Sequence, residues 1–133
     1  MKVRLVQPSI VQSAKWDLEE RQRIFDVHLD LTRSPGERDE RPDIVVWPET
    51  SVPYLLTERP DALQAIADAL SDGETLFVGA VRAEKGAGDV RYYNSLTMVS
   101  AEGEILDAAD KAHLVPFGEY LPFDALLRRL GLR

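Results

Sequence analysis

Apolar and polar positions change period several times along the 133 residues, and each change marks an element. Residues 2–7 alternate through Val3, Leu5 and, after a slip, Val6 before Pro8, which predicts a short strand entering a core. Residues 9–15 form a polar link. A helix should open at Trp16-Asp17, with Asp17 as N-cap and Glu20 at capping-box spacing. Leu18, Phe25 and Leu29, widened by Ile24, Val27 and Leu31, make its apolar stripe, and His28 falls beside that stripe as a surface or boundary residue. The helix should end near Ser34-Pro35-Gly36, followed by a charged loop to Pro42.

The run Asp43-Ile44-Val45-Val46-Trp47 is apolar without alternation, as in a strand covered on both faces, and it stops at Pro48-Glu49. Residues 58–70 read as a second helix, with Leu63, Ile66 and Leu70 on one side and Asp72-Gly73 at its end. Strands are predicted over 75–81, 92–100 and 104–108. Gly79 in the first of them marks a bulge or the close approach of another backbone. The Gly-rich segment 84–89 reads as a hairpin loop, and Ala101-Glu102-Gly103 as a second hairpin connection. A short helix is expected over 123–130. The order gives an α/β fold with parallel crossovers first and a meander after, an open sheet that ends mid-pattern.

Composition narrows the function. A formal net charge of −7 argues against a general affinity for nucleic acid or anionic head groups. With no cysteine and two histidines, a disulfide or thiolate site is excluded in this chain and a histidine-rich metal site is not expected. No apolar run is long enough to span a bilayer, so the stretch reads as a soluble piece.

The candidate chemistry lies in residues 110–122, where Lys111, His113 and Glu119 sit among apolar residues, two prolines and a glycine. A lysine in such a loop calls for a compensating acid, and Glu49, at the carboxyl end of an apolar strand, is the clear candidate. The pair admits two readings. It is either an ion pair closing the core's edge or a general base beside a stabiliser of a developing oxyanion. Glu119 supplies a second carboxylate that could hold the lysine or manage a proton. Base and stabiliser make half of an acyl-transfer site; Thr50 and Ser51 lie on no nucleophile elbow, so a nucleophile is missing.

Trp47-Pro48-Glu49 after an apolar strand, and Lys111-Ala112-His113-Leu114 leading into Phe117-Gly118-Glu119, resemble the glutamate and lysine motifs of the nitrilase (carbon-nitrogen hydrolase) superfamily. Within it, Leu5-Val6-Gln7, Gln12-Ser13-Ala14-Lys15-Trp16-Asp17, Trp47-Pro48-Glu49-Thr50 and the run 113–122 are similar to the membrane-anchored branch that acylates lipoproteins. The resemblance implies an αββα sandwich, incomplete in this chain, and a Glu-Lys-Cys triad in which Glu49 is the base, Lys111 the stabiliser and Glu119 an additional site glutamate. Trp16 would contact substrate; an aromatic staple at a helix entrance is its alternative. The implied reaction moves an acyl chain from a phospholipid through a cysteine thioester to the amino-terminal diacylglyceryl-cysteine of an apolipoprotein, with no metal or organic cofactor.

On this resemblance residues 1–133 are the amino-terminal part of a nitrilase-like domain. Transmembrane helices are expected upstream and the nucleophile downstream, and the whole protein in the bacterial inner membrane with this domain facing the periplasm. The stretch alone should be inactive, and a sheet face left without its partner should favour self-association. A soluble amidase using the same triad, or a non-catalytic binding or assembly module, are the alternatives.

Overall fold

The computed structural model describes residues 1–10, 20–35, 41–52, 54–86 and 88–115. Its framework is one mixed five-stranded sheet in sequence order: β1 (Val3–Leu5), β2 (Ile44–Val46), β3 (Thr75–Lys85), β4 (Val90–Ser100) and β5 (Ile105–Asp110). β1, β2 and β3 run parallel, and β4 and β5 follow antiparallel. This is the crossover-then-meander order that the hydrophobic pattern predicts. The parallel pairs require long connections, and helices α1 (Glu20–Arg33) and α2 (Pro60–Ala67) supply them.

Both helices cover the same face. Phe25 and Leu29 of α1 and Ala62 and Ile66 of α2 join Val45, Leu76, Val78, Ala80 and Val99 of the sheet in one core with Val6, Trp47, Val52 and Leu56. Period-two alternation puts Ile44, Val46, Phe77, Leu96 and Met98 on the opposite face, where they are half-buried or exposed. Cover on both faces, expected for β2, is therefore found on one, because the described helices pack on a single side.

Three details differ from the pattern. α2 begins at Pro60 and ends at Ala67, shorter than 58–70. Proline suits the first helical position, while Leu56–Glu58 winds as a separate 3-10 turn. β3 runs on to Lys85 because it pairs with β4 along its full length, so the loop between them shrinks to 86–89. His28 is buried, not at a boundary. The inner face of α1 is Ile24, Phe25, His28, Leu29 and Thr32, and His28 meets the carbonyl of Ile24 through Nδ1 at 2.7 Å and lies 5.0 Å from the Trp47 ring. Trp47 Nε1 donates to Thr32 Oγ1 at 2.9 Å, fixing the end of β2 against α1. The capping box at Asp17 and the helix over 123–130 lie outside the described residues, as do Trp16 and Glu119.

Candidate active site

The chain leaves β2 still following β3, but not in step. Trp47 N donates to Phe77 O and Ser51 N to Gly79 O, both at 2.8 Å, so four residues on one side span two on the other. Val52 then bridges Ala80 in parallel. The surplus loops outward as Pro48-Glu49-Thr50, with Thr50 in the left-handed region at φ 52°. Ser51 is tied inward, its buried Oγ donating to Gly79 O at 3.1 Å, which gives this serine a structural duty.

Gly79 is what lets the loop settle there. A Cβ at this position would stand 2.5 Å from Pro48 O and 2.6 Å from Glu49 Cα. The close backbone approach expected at this glycine is thus found, and the approaching backbone belongs to Glu49.

Lys111 arrives from the other end of the sheet. It follows β5 directly, and its amide makes a ladder-like bond to Asn94 O at 2.7 Å. Its Nζ donates to Glu49 Oε1 at 2.9 Å, joining residues 62 apart in the chain. Asn94 Nδ2 donates to the same oxygen. One carboxylate oxygen thus receives a cationic and a neutral donor from neighbouring positions on β4 and beyond β5. Asn94 was not singled out by the sequence motifs. The available signal is its register: an amide side chain placed beside Lys111 by the antiparallel pairing of β4 and β5.

The three groups edge a cleft of about 370 Å³ lined also by Trp47, Gly79, Ser95, Leu96, Ala109 and Asp110. The side chains of Glu49 and Lys111 keep 58% and 30% of their surface exposed, so neither is the deeply desolvated group the apolar loop suggested. Residues 112–115, the described part of that loop, are exposed as well. His113 lies in that exposed part. Among the described residues no cluster of histidine and acidic side chains could hold a metal ion.

On the reverse side of the same strands, Asp110 accepts from Arg82 Nε at 3.0 Å, Arg82 Nη2 at 2.6 Å and Ser95 Oγ at 2.6 Å. The Arg82 guanidinium, then the Ser95 hydroxyl, hold the Asp110 carboxyl down at about 2. Arg82 also lies over the Tyr93 ring at 4.7 Å.

A mixed sheet with helices on one side, a looped-out glutamate at a parallel strand's carboxyl end and a lysine delivered to it by the meander define an α/β domain of nitrilase type. The carbon-nitrogen hydrolase family signature matches residues 2–133, and the chain belongs to that family. It is 56% identical over 134 aligned residues to the apolipoprotein N-acyltransferase of Brucella suis biovar 1, covering 98% of this chain and 25% of that protein. It is 58% identical over 135 to that of Rhizobium meliloti, covering 99% and 25%. The chain therefore spans about a quarter of the length of the curated relatives it matches. A carbon-nitrogen hydrolase from Helicobacter pylori G27 superposes with a TM-score of 0.64 at 15% identity over 90% of this chain and 42% of its own, a likeness of fold. Among the described residues no helix is long and apolar enough to cross a membrane.

Proposed function

We propose that residues 1–133 are the part of an apolipoprotein N-acyltransferase that carries its general base and its oxyanion stabiliser. The observation that supports this most directly is the 2.9 Å contact of Lys111 Nζ with Glu49 Oε1 beside an open cleft. A carboxylate held beside the cleft by Lys111 and Asn94 is placed to accept a proton. An ammonium held there places a positive charge beside the reacting carbonyl at no cost of reorganisation during the reaction.

In this reading Glu49 takes the proton of a cysteine thiol contributed from outside these residues. The thiolate attacks the ester carbonyl of a phospholipid, and Lys111 faces the oxyanion of the tetrahedral intermediate. Collapse expels the lysophospholipid alkoxide, which takes the proton from Glu49 and leaves a thioester. In the second half the amino-terminal amine of the diacylglyceryl-cysteine attacks that thioester and loses a proton to Glu49. Lys111 again faces the oxyanion, and the thiolate leaves and recovers the proton. Every proton has a carrier, and no metal or organic cofactor enters. Glu119 and Trp16 complete the proposal, the first as a further carboxylate near Lys111 and the second as a substrate contact. The protein would lie in the bacterial inner membrane with this domain on the periplasmic side. The amidase alternative draws on fold likeness at 15% identity, whereas the acyltransferase reading draws on 56% identity across nearly the whole chain.

The test is acyl transfer from phospholipid to a diacylglyceryl-peptide by the full-length protein. Glu49→Gln and Lys111→Met should each lower kcat by at least about 100-fold while the protein still folds, within the usual span for a lost base or charged stabiliser. Normal acylation by either variant would refute the assignment. The isolated residues 1–133 should show no turnover.

A further inference from the structure

The site residues stand on one face of the sheet, and each that donates to Glu49 has an immediate neighbour held on the other. Lys111 follows Asp110; Asn94 stands between Tyr93 and Ser95. On the helix side those neighbours form one cluster across three strands. Arg82 of β3 forks onto the carboxylate of Asp110 at the end of β5, Ser95 of β4 donates to the same carboxylate, and Tyr93 of β4 lies under the guanidinium. Cross-strand register explains the meeting, since Arg82 pairs with Tyr93 and Ser95 with Asp110.

The need for such a cluster is physical. β5 pairs with β4 alone among the described strands and is exposed along its length. The end of such a strand frays at little cost unless something closes it. Lys111 sits one residue past that end, and its Nζ reaches Glu49 only while the ladder persists to its own amide. Lys111 is only partly buried, with 30% of its side chain exposed. A forked arginine-carboxylate pair with a third donor is the geometry in which a surface ion pair becomes directional.

We propose that Arg82, Ser95 and Asp110 form a clamp that positions Lys111 on Glu49, acting through the β5 terminus and not by touching substrate. The proposal rests on the reading of Lys111 as oxyanion stabiliser. Its role differs from the catalytic pair: Ser95 and Asp110 border the cleft, but their side chains are engaged with each other and with Arg82, and the clamp matters for where Lys111 stands.

The experiment uses the full-length protein with two readouts. One is acyl transfer resolved into kcat and KM. The other is the rate at which a small amine-reactive reagent labels individual lysines, read by mass spectrometry, with Lys2 and Lys85 as internal controls. Arg82→Gln and Asp110→Asn should each lower kcat by about 10- to 100-fold with KM nearly unchanged, the scale of misplacing a catalytic group by about 1 Å. Both should raise labelling at Lys111 severalfold and leave Lys2 and Lys85 as they were. The exchanged pair Arg82→Asp with Asp110→Arg should recover kcat relative to either single change. Wild-type kcat and wild-type Lys111 labelling in both single variants would overturn the clamp. So would a uniform rise at all three lysines, which marks general loosening. If Lys111→Met acylates normally, the stabiliser reading fails by itself. The Lys111 labelling in Arg82→Gln still decides whether the clamp holds that side chain.

Discussion

Gly79 links backbone to chemistry at the scale of one residue. It gives up side-chain packing inside a strand, and in exchange Pro48-Glu49 crosses so near that a methyl group would overlap Pro48 O and Glu49 Cα. Neither obstacle is a flexible side-chain end, so the looped-out segment would have to move. Gly79→Ala should destabilise the fold by about 1–3 kcal/mol, as overpacking does. In the full-length protein it should also lower acyl transfer by about 100-fold, because Glu49 is the atom group displaced. Thermal unfolding and initial rates check the two halves separately, and an unchanged rate would mean that Glu49's position is not what Gly79 secures. Glu49, Lys111 and the close approach at Gly79 were legible in the sequence because each breaks a local rule: a charge at the end of an apolar run, a lysine among prolines and aromatics, a glycine within a strand. Asn94, Arg82 and Asp110 break none. Polar residues in a half-exposed antiparallel strand are ordinary, and their meaning appears only when register sets Asn94 beside Lys111 and brings Arg82 diagonally across β4 to Asp110.

At the scale of elements the same distinction holds. Strand order followed from long connections between the early apolar runs and short turns between the late ones. The rotation of α1, which buries His28, depended on Trp47 packing into it from a strand end, a contact no helical periodicity contains. β5 shows how an element can be held by one cluster, and its pH dependence follows. The carboxyl of Asp110 lies at about 2 when folded against an ordinary 3.8, depressed by Arg82 and then Ser95. A depressed carboxyl contributes stability that is present above the unfolded value and lost as pH falls through the folded one. The β5 terminus should therefore hold from neutral pH down to about pH 4 and fray between about pH 4 and pH 2. Hydrogen exchange at the Lys111 amide, which bonds to Asn94 O, reads this directly. Arg82→Gln should remove most of this step, leaving the amide less protected at neutral pH and little changed between about pH 4 and pH 2. An amide equally protected at pH 5 and pH 2.5 would contradict the account.

Among the described residues the sheet is covered unequally: α1 and α2 lie on one face, and on the other Leu5, Val3 and Leu96 are 76%, 48% and 45% exposed beside the half-buried Ile44, Val46, Phe77 and Met98. Contiguous apolar area of this kind calls for a cover. The Glu49–Lys111 pair opens onto the same side, since Asn94 alternates with the helix-facing Ser95 and shares its face with Leu96. Covering that face would at once bury apolar area and withdraw water from Glu49 and Lys111, strengthening the electrostatics on which an oxyanion stabiliser depends. The isolated residues 1–133 should therefore bind a hydrophobic dye and self-associate in sedimentation. Leu5→Lys, a charge on β1 at the most exposed of these positions after the terminal methionine, should weaken both and change unfolding by no more than about 0.5 kcal/mol, as expected of a surface substitution. A monomer that binds no dye would show that this face is closed within the chain itself, and the exposure of Glu49 would then need another explanation.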